Sequence, residues 1–459
     1  MAFRTKPLIV CFSAGLGLTV ALFPPSFFPG EVAGTAGFVL FILSLWATGL
    51  LPEYLTALIF FTGAMILALA PPHVVFSGFT SRAFWLVLGG LVLGVGIQVT
   101  GLGSRLAARV AGRLNRSYAG LIFGLVFCGV LFAMVMPSSI GRVVLLVPIA
   151  MLVAREVGFE KHQNGYTGAV SAVILGTVLP GFAILPANVA NMVLAGLSET
   201  LHGYSPLYGE YLLLHLPVLG LVKLLALGVC IVIFFPDTLK KTGKMTMAEG
   251  DKAGTKEKVL GILLILMLCM WATDSLHHIS PAWVAMAGAC IVLLPGVAIV
   301  GGKAFQEKIN FGSLFYIAGI LGLGQLIGSS GLGTVLAERC ISALPLNPAH
   351  PFFNFLGLSI LSLFTGVFTT QPGIPALLTP FADQLAQATG FSVKTVLMLQ
   401  VLGFSQPLFP YQVPPLLIGM QMASIPLSSG FKLCLWLTAI SILLLFPLNY
   451  LWWRFLGWI

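Results

Sequence analysis

Two long apolar stretches of this chain are broken, at corresponding places, by short polar clusters. The first runs Phe132-Ala133-Met134-Val135-Met136-Pro137-Ser138-Ser139-Ile140-Gly141-Arg142 and is apolar again up to Pro148. The second runs Gly366-Val367-Phe368-Thr369-Thr370-Gln371-Pro372-Gly373-Ile374-Pro375 and continues to Pro380. Polar backbone at membrane depth survives only where it is buried in protein or lines a cavity. Interruptions at matching points of two halves therefore point to a transporter's binding site near the bilayer midplane.

The surrounding sequence supports a membrane setting. The chain is 58% hydrophobic and 8% charged, which excludes a soluble domain of this length. Its net charge of +9 does not point to a nucleic-acid partner, because the cations fall in short loops between apolar runs. The run at 7–23 is read as a retained helix and not a signal peptide, since Pro24-Pro25 follows it without a small-residue cleavage site. Seven cysteines, none in a CxxC pair, read as small core residues and not as a metal site or disulfide set.

The expected fold is an all-α membrane protein with about 11 transmembrane helices in two inverted repeats, each holding a re-entrant helical hairpin and a broken helix. Residues 1–82 supply N-terminal scaffold helices. A first repeat occupies 83–235, with its hairpin at about 118–155 and its broken helix at about 167–198. Residues 236–258, with six lysines and four acids, form a cytoplasmic linker. The second half, 259–456, holds a hairpin at about 351–389 and a broken helix at about 393–424.

The two repeats align through Gly101-Leu102-Gly103 with Gly331-Leu332-Gly333, Gly141 with Gly373, Pro148 with Pro380, and Pro186 with Pro414. Between Gly101 and Ser117, Arg105, Arg109, Arg113 and Arg116 share one helical face, as in an amphipathic helix on the cytoplasmic surface. The matching arm, Gly331 to Leu346, carries only Glu338 and Arg339. This asymmetry places the arms on opposite sides and the N-terminus in the cytoplasm, in a multi-pass protein of the cell (inner) membrane.

At each hairpin tip the helix stops, and free N–H groups at the start of the next half-helix suit an anion. Ser138, Ser139, Thr370 and Gln371 add side-chain donors. Arg142, next to the first tip, is expected to face a cavity and contact the anion, because a lipid-facing arginine there is costly. The competing readings are snorkelling and pairing with a buried acid. Asn188, in Pro186-Ala187-Asn188, is expected to offer an amide to ligand or ion. Gly141, Gly373, Pro186 and Pro414 shape an ion or backbone site at the tips and breaks. Lys223 is read as snorkelling, Asp383 as a weak candidate for a proton relay, and His277-His278 as surface residues.

No enzyme reading stands. Gly328-Ser329-Ser330-Gly331 matches the GxSG string of intramembrane serine proteases, but the only later histidine is His350, in a loop. Neither a catalytic nor a metal-ligating set is visible.

These features resemble the divalent-anion:sodium symporter family of the ion-transporter superfamily, over about residues 33–450. The family's Ser-Asn-Thr tip motifs fall on Ser138-Ser139-Ile140 and Thr370-Gln371-Pro372, with Ile140 and Pro372 at the threonine positions. A further family threonine falls on Arg142. The family's Pro-Pro-Asn is matched by Pro186-Ala187-Asn188 and in part by Pro414-Pro415-Leu416. The resemblance implies a homodimer in the lipid bilayer whose hairpin-bearing domain moves like an elevator, carrying a small anionic substrate of the di- or tricarboxylate or sulfate class. No cofactor is implied beyond sodium or a proton as coupling ion, and the degenerate motifs imply weak sodium dependence. The alternative within the superfamily is a cation/proton antiporter, which needs an acid at the site.

Overall fold

A computed structural model describes residues 2–22, 30–103, 105, 117–136, 138–239, 254–409 and 412–459. Pro137, Arg109, Arg113 and Arg116, and most of the expected 236–258 linker, lie outside the described residues.

The described residues are helical throughout, with no strand among them. In chain order the principal helices of the first half are α1 (Ala2–Leu22), α2 (Gly30–Thr48), α3 (Glu53–Ile66) and α4 (Arg82–Thr100). They continue with α5 (Tyr118–Val135), α6 (Ser139–Glu156), α7 (Asn164–Val178), α8 (Val189–His202) and α9 (Tyr208–Phe234). The second half has α10 (Thr255–Ala272), α11 (Pro281–Leu293), α12 (Phe311–Ser329), α13 (Leu332–Ala343) and α14 (Pro351–Phe368). It closes with α15 (Gly373–Thr389), α16 (Val393–Phe404), α17 (Pro414–Ala423) and α18 (Leu427–Phe455).

Among the described residues six helices are long and apolar enough to cross a bilayer, and the pair α15 and α16, bent by 114°, makes a seventh candidate. Several expected spans are shorter. The 14 residues of α3 cover only about 21 Å at 1.5 Å per residue, against a hydrocarbon core of about 30 Å. Two long spans carry π-helical turns, at Leu216–Val222 in α9 and Ser441–Leu445 in α18. Pro217 and Pro447 lie in or just after them, where a missing N–H disrupts the regular ladder.

A helix break falls within each segment expected to hold a hairpin or a broken helix. In the first half, α5 and α6 both pack on α7. Approach there is close: a Cβ on Gly176 of α7 would lie 2.8 Å from Val126 Cα of α5. In the second half, α14 and α15 both pack on α16, and Gly403 of α16 presses against Ser362 of α14. Gly390, in the left-handed conformation at φ +74°, caps α15 and allows the sharp corner into α16.

The halves interlock reciprocally. The half-helix after the first break, α8, packs on α15 of the second hairpin, and the half-helix after the second break, α17, packs on α6 and α7. This exchange brings the two tips together in the interior. Helices α3 and α4 each pack on α12, beside them.

Three cysteines (128, 230, 434) are buried as expected of core residues, but Cys11, Cys269 and Cys290 are exposed and Cys340 is half-buried; all seven are free. An apolar span turns much of its surface outward to lipid, so a small apolar residue there need not be in the core.

Candidate functional site

The two tips, the two breaks and a wall from α3, α4 and α12 enclose one cavity of about 120 Å³. Of the expected site residues, Ser138, Ser139, Asn188, Thr370, Gln371 and Pro414 line it.

The first tip is built by capping. Ser138 stands before α6 in extended conformation, and its Oγ accepts from the N–H of Gly141 at 3.1 Å. The N–H groups of Ser139 and Ile140 have no partner within the helix, as at every helix start, and both residues line the cavity. At the first break, two short 3₁₀ turns, Pro180–Ala183 and Leu185–Ala187, separate α7 from α8. Asn188 caps α8, with Oδ1 accepting from the N–H of Ala190 at 2.9 Å. Its amide Nδ2 has no bond within the described residues. Asn191 donates to the carbonyls of Gly181 and Ile184, at 2.8 and 2.9 Å, and so fixes the break.

Arg142 is not on the cavity wall. Its side chain is wholly buried behind the tip. Nη2 donates to Thr177 O at 3.1 Å, Ala187 O at 3.0 Å and Ser139 Oγ at 3.0 Å, while Nη1 donates to Met136 O. Those carbonyls are free because the helices end there. The expected anion contact is therefore corrected, and so are the snorkelling and acid-pair readings: the guanidinium binds backbone oxygens, and no acid pairs with it among the described residues. Gly141, Gly373 and Pro186 are also buried and lie off the cavity lining.

At the second tip, side chains tie the break to its neighbours. Thr370 Oγ1 and the Tyr316 hydroxyl share a hydrogen bond of 3.2 Å. Gln371 Nε2 donates to Phe404 O, at the end of α16, at 2.8 Å. Gln412 donates to Gly366 O and accepts from the N–H of Phe409 at 2.8 Å. Lys223 does not snorkel: it is 1% exposed, and its Nζ donates to Ser405 O and Gln406 Oε1, both at 2.6 Å. Asp383 lies away from the cavity, exposed, 3.3 Å from His202.

Four polar lining residues escaped the sequence reading: Glu53, Ser313, Tyr316 and Gln412. Glu53 carried a usable signal, as an ionisable residue beginning an apolar run, but it reads as an ordinary loop acid beside Pro52. Tyr316 had none within its span.

Tips and breaks from two interlocked halves, meeting at a polar cavity inside an all-helical membrane protein, define a transporter. Residues 17–459 match the family described as "Sodium:sulfate symporter transmembrane region", and the chain belongs to that family. It is 25% identical over 482 residues to "Dicarboxylate transporter 2.2, chloroplastic" of Arabidopsis thaliana, covering 98% of this chain and 85% of that one. It is 21% identical over 458 residues to "Sodium-dependent dicarboxylate transporter SdcS" of Staphylococcus saprophyticus, covering 93% and 87%. The solved structure of Neisseria gonorrhoeae MtrF, described with a class of antimetabolite efflux pumps, shares the fold. Its TM-score is 0.55, with 14% identity and 90% of this chain and 97% of that one covered.

Proposed function

We propose that this protein is a secondary active transporter of small dianions, dicarboxylates first and sulfate or tricarboxylates next. One observation carries the reading: uncharged polar residues from both tips and the first break (Ser138, Ser139, Asn188, Thr370 and Gln371) converge on a single cavity. An anion held by hydroxyls, amides and helix N-termini is bound without a fixed counter-charge, and so can leave again. Relatives that carry dicarboxylates by name support the substrate class. Transport runs by elevator-type alternating access, in which the tips and breaks move as a body against the wall of α3, α4 and α12. The working unit is a homodimer in the cell membrane, with its N-terminus in the cytoplasm.

Sodium is not the coupling ion in this reading. Unwound backbone carbonyls are what coordinate sodium in such transporters. Here the carbonyls of Met136, Thr177 and Ala187 accept from Arg142, and those of Phe404 and Ser405 accept from Gln371 and Lys223. The oxygens that would hold a sodium ion already hold the protein's own donors.

The test is a thermal-shift screen followed by counterflow in proteoliposomes. Succinate or sulfate should stabilise the protein and exchange across the membrane equally in sodium and in choline buffers. Steep, saturable dependence on sodium at fixed pH refutes the coupling claim; no stabilisation by any di- or tricarboxylate or sulfate refutes the substrate class. The second reading, a cation/proton antiporter, gains from one observation: the cavity does hold an acid, Glu53.

A further inference from the structure

The cavity that should receive a dianion contains one carboxyl group, and its charged form has the wrong sign. Among the described lining residues there is no lysine, arginine or histidine, and Glu53 is the single acid. Arg142 is spent on backbone carbonyls behind the first tip. Glu53 begins α3, stays exposed to the cavity, and makes no ion pair among the described residues.

The groups around Glu53 do not neutralise it. From α12 it faces Tyr316 and Ser313, and from α2 Trp46 donates to its backbone carbonyl at 3.1 Å, leaving the carboxylate untouched. Across the cavity stand Ser138, Ser139, Asn188, Thr370, Gln371 and Gln412, none of them charged. Lys308, just before α12, is exposed and forms no ion pair with it; His73 lies beyond the opposite end of α3. An ionised carboxylate and a dianion in one cavity repel each other. A like charge is relieved when one partner takes up a proton.

We propose that Glu53 is a proton-binding site that gates anion loading: the dianion binds only when the Glu53 carboxylate has been protonated. This rests on the anion reading above. The step balances simply. On the loading side a carboxylate oxygen of Glu53 takes one proton from solution and the dianion binds beside the neutral acid. When the tips carry the anion off the wall, Glu53 stays behind on α3 and returns its proton to solution. Because Glu53 sits on the α3 wall and not on a tip, it meets the anion from the element against which the tips move. Once ionised, it also penalises the return of loaded tips to the wall.

The test uses the full-length protein in detergent and in proteoliposomes, with succinate as probe between pH 7 and 8.5, where succinate stays a dianion. Wild-type binding should weaken about tenfold per pH unit, as expected when one proton is taken up with each anion. Glu53→Gln should bind with no pH slope, more tightly than wild type at pH 8.5, and should exchange succinate at a rate independent of pH over this range. Glu53→Asp, which keeps the acid, should retain the slope; a merely structural role for Glu53 would not separate the two variants in this way. A flat wild-type profile, a slope that survives in Glu53→Gln, or a folded Glu53→Gln that no longer binds succinate overturns the proposal. Exchange of sodium for protons with no anion present overturns it in favour of cation antiport. A wild-type protein that binds neither succinate nor sulfate at any pH removes the underlying anion reading instead.

Discussion

At the first hairpin tip, an 18-residue helix starts at Ser139, capped by Ser138, with its free N–H groups beside the cavity. At the second, the α-helical turn after Pro372 runs only from Gly373 to Leu378 before a 3₁₀ turn. There the N–H groups of Gly373 and Ile374 are already taken by the carbonyls of Thr370 and Gln371. The half-helix α17 adds little, since Pro414 and Pro415 bring no N–H. One tip thus presents backbone donors with a helix dipole behind them, and the other presents side chains. The same repeat has been solved by two chemistries, so single substitutions should separate them.

The largest difference is expected from Arg142. It serves three carbonyls and a hydroxyl on α5, α6, α7 and the first break, all within one half. Each buried oxygen left unpaired costs about 1–3 kcal/mol, and several are lost at once. Arg142→Ala should therefore lose monodisperse folded protein in fluorescence-detected size exclusion, not merely ligand affinity. Arg142→Lys should recover part of it, because an ammonium cannot reproduce the planar fork. Folded Arg142→Ala with unchanged succinate binding would show that the tip does not depend on it.

A smaller effect is expected at Lys223, the cation that serves the second break. Among the described residues it bonds only Ser405 O and Gln406 Oε1. Hydrogen bonds to a charged group are worth about 1.5–3 kcal/mol each, and Lys223→Met also avoids the cost of burying an ammonium. The thermal midpoint should fall by less than in Arg142→Lys, with the protein still folded. An equal or larger fall would mean that the two breaks lean on their cations alike, and the comparison would fail.

These two cations also mark where the sequence stops being readable. Tips and breaks were legible because Pro, Gly, Ser, Thr and Asn interrupt otherwise unbroken apolar runs, and each of those residues has a known effect on a helix. That Arg142 lies beside the first tip was equally plain. What it touches was not, because Met136, Thr177 and Ala187 act through carbonyls that every residue has, and which carbonyls are free depends on where three helices end. Lys223 was misread for the same reason: its partner lies 182 positions away, on a break whose position relative to α9 only the folded halves define. Glu53 was visible as an acid and missed as a site, since nothing in the residues around it says that α3 will face the tips.

The smallest effect separates the tips most finely. Tyr316 on α12 bonds Thr370 of the second tip at 3.2 Å, whereas at the first tip Ser138 bonds Gly141 of its own helix and Ser139 bonds Ala187 of the first break. Among the described residues, only the second tip is thus tied by a side chain to the wall it would have to leave. Tyr316→Phe keeps the ring, which packs edge-on to Trp46 at 5.6 Å between centroids, and removes the hydroxyl alone. A neutral hydrogen bond is worth about 0.5–1.5 kcal/mol, so the thermal midpoint should move by only a few degrees or less. If the bond holds the tip to the wall, Tyr316→Phe should raise the succinate exchange rate, and Thr370→Val should do the same. The double variant should then be no faster than either single one, because the same bond is already gone. Additive effects would mean that the two hydroxyls act separately, and the second tip would be no more tethered than the first.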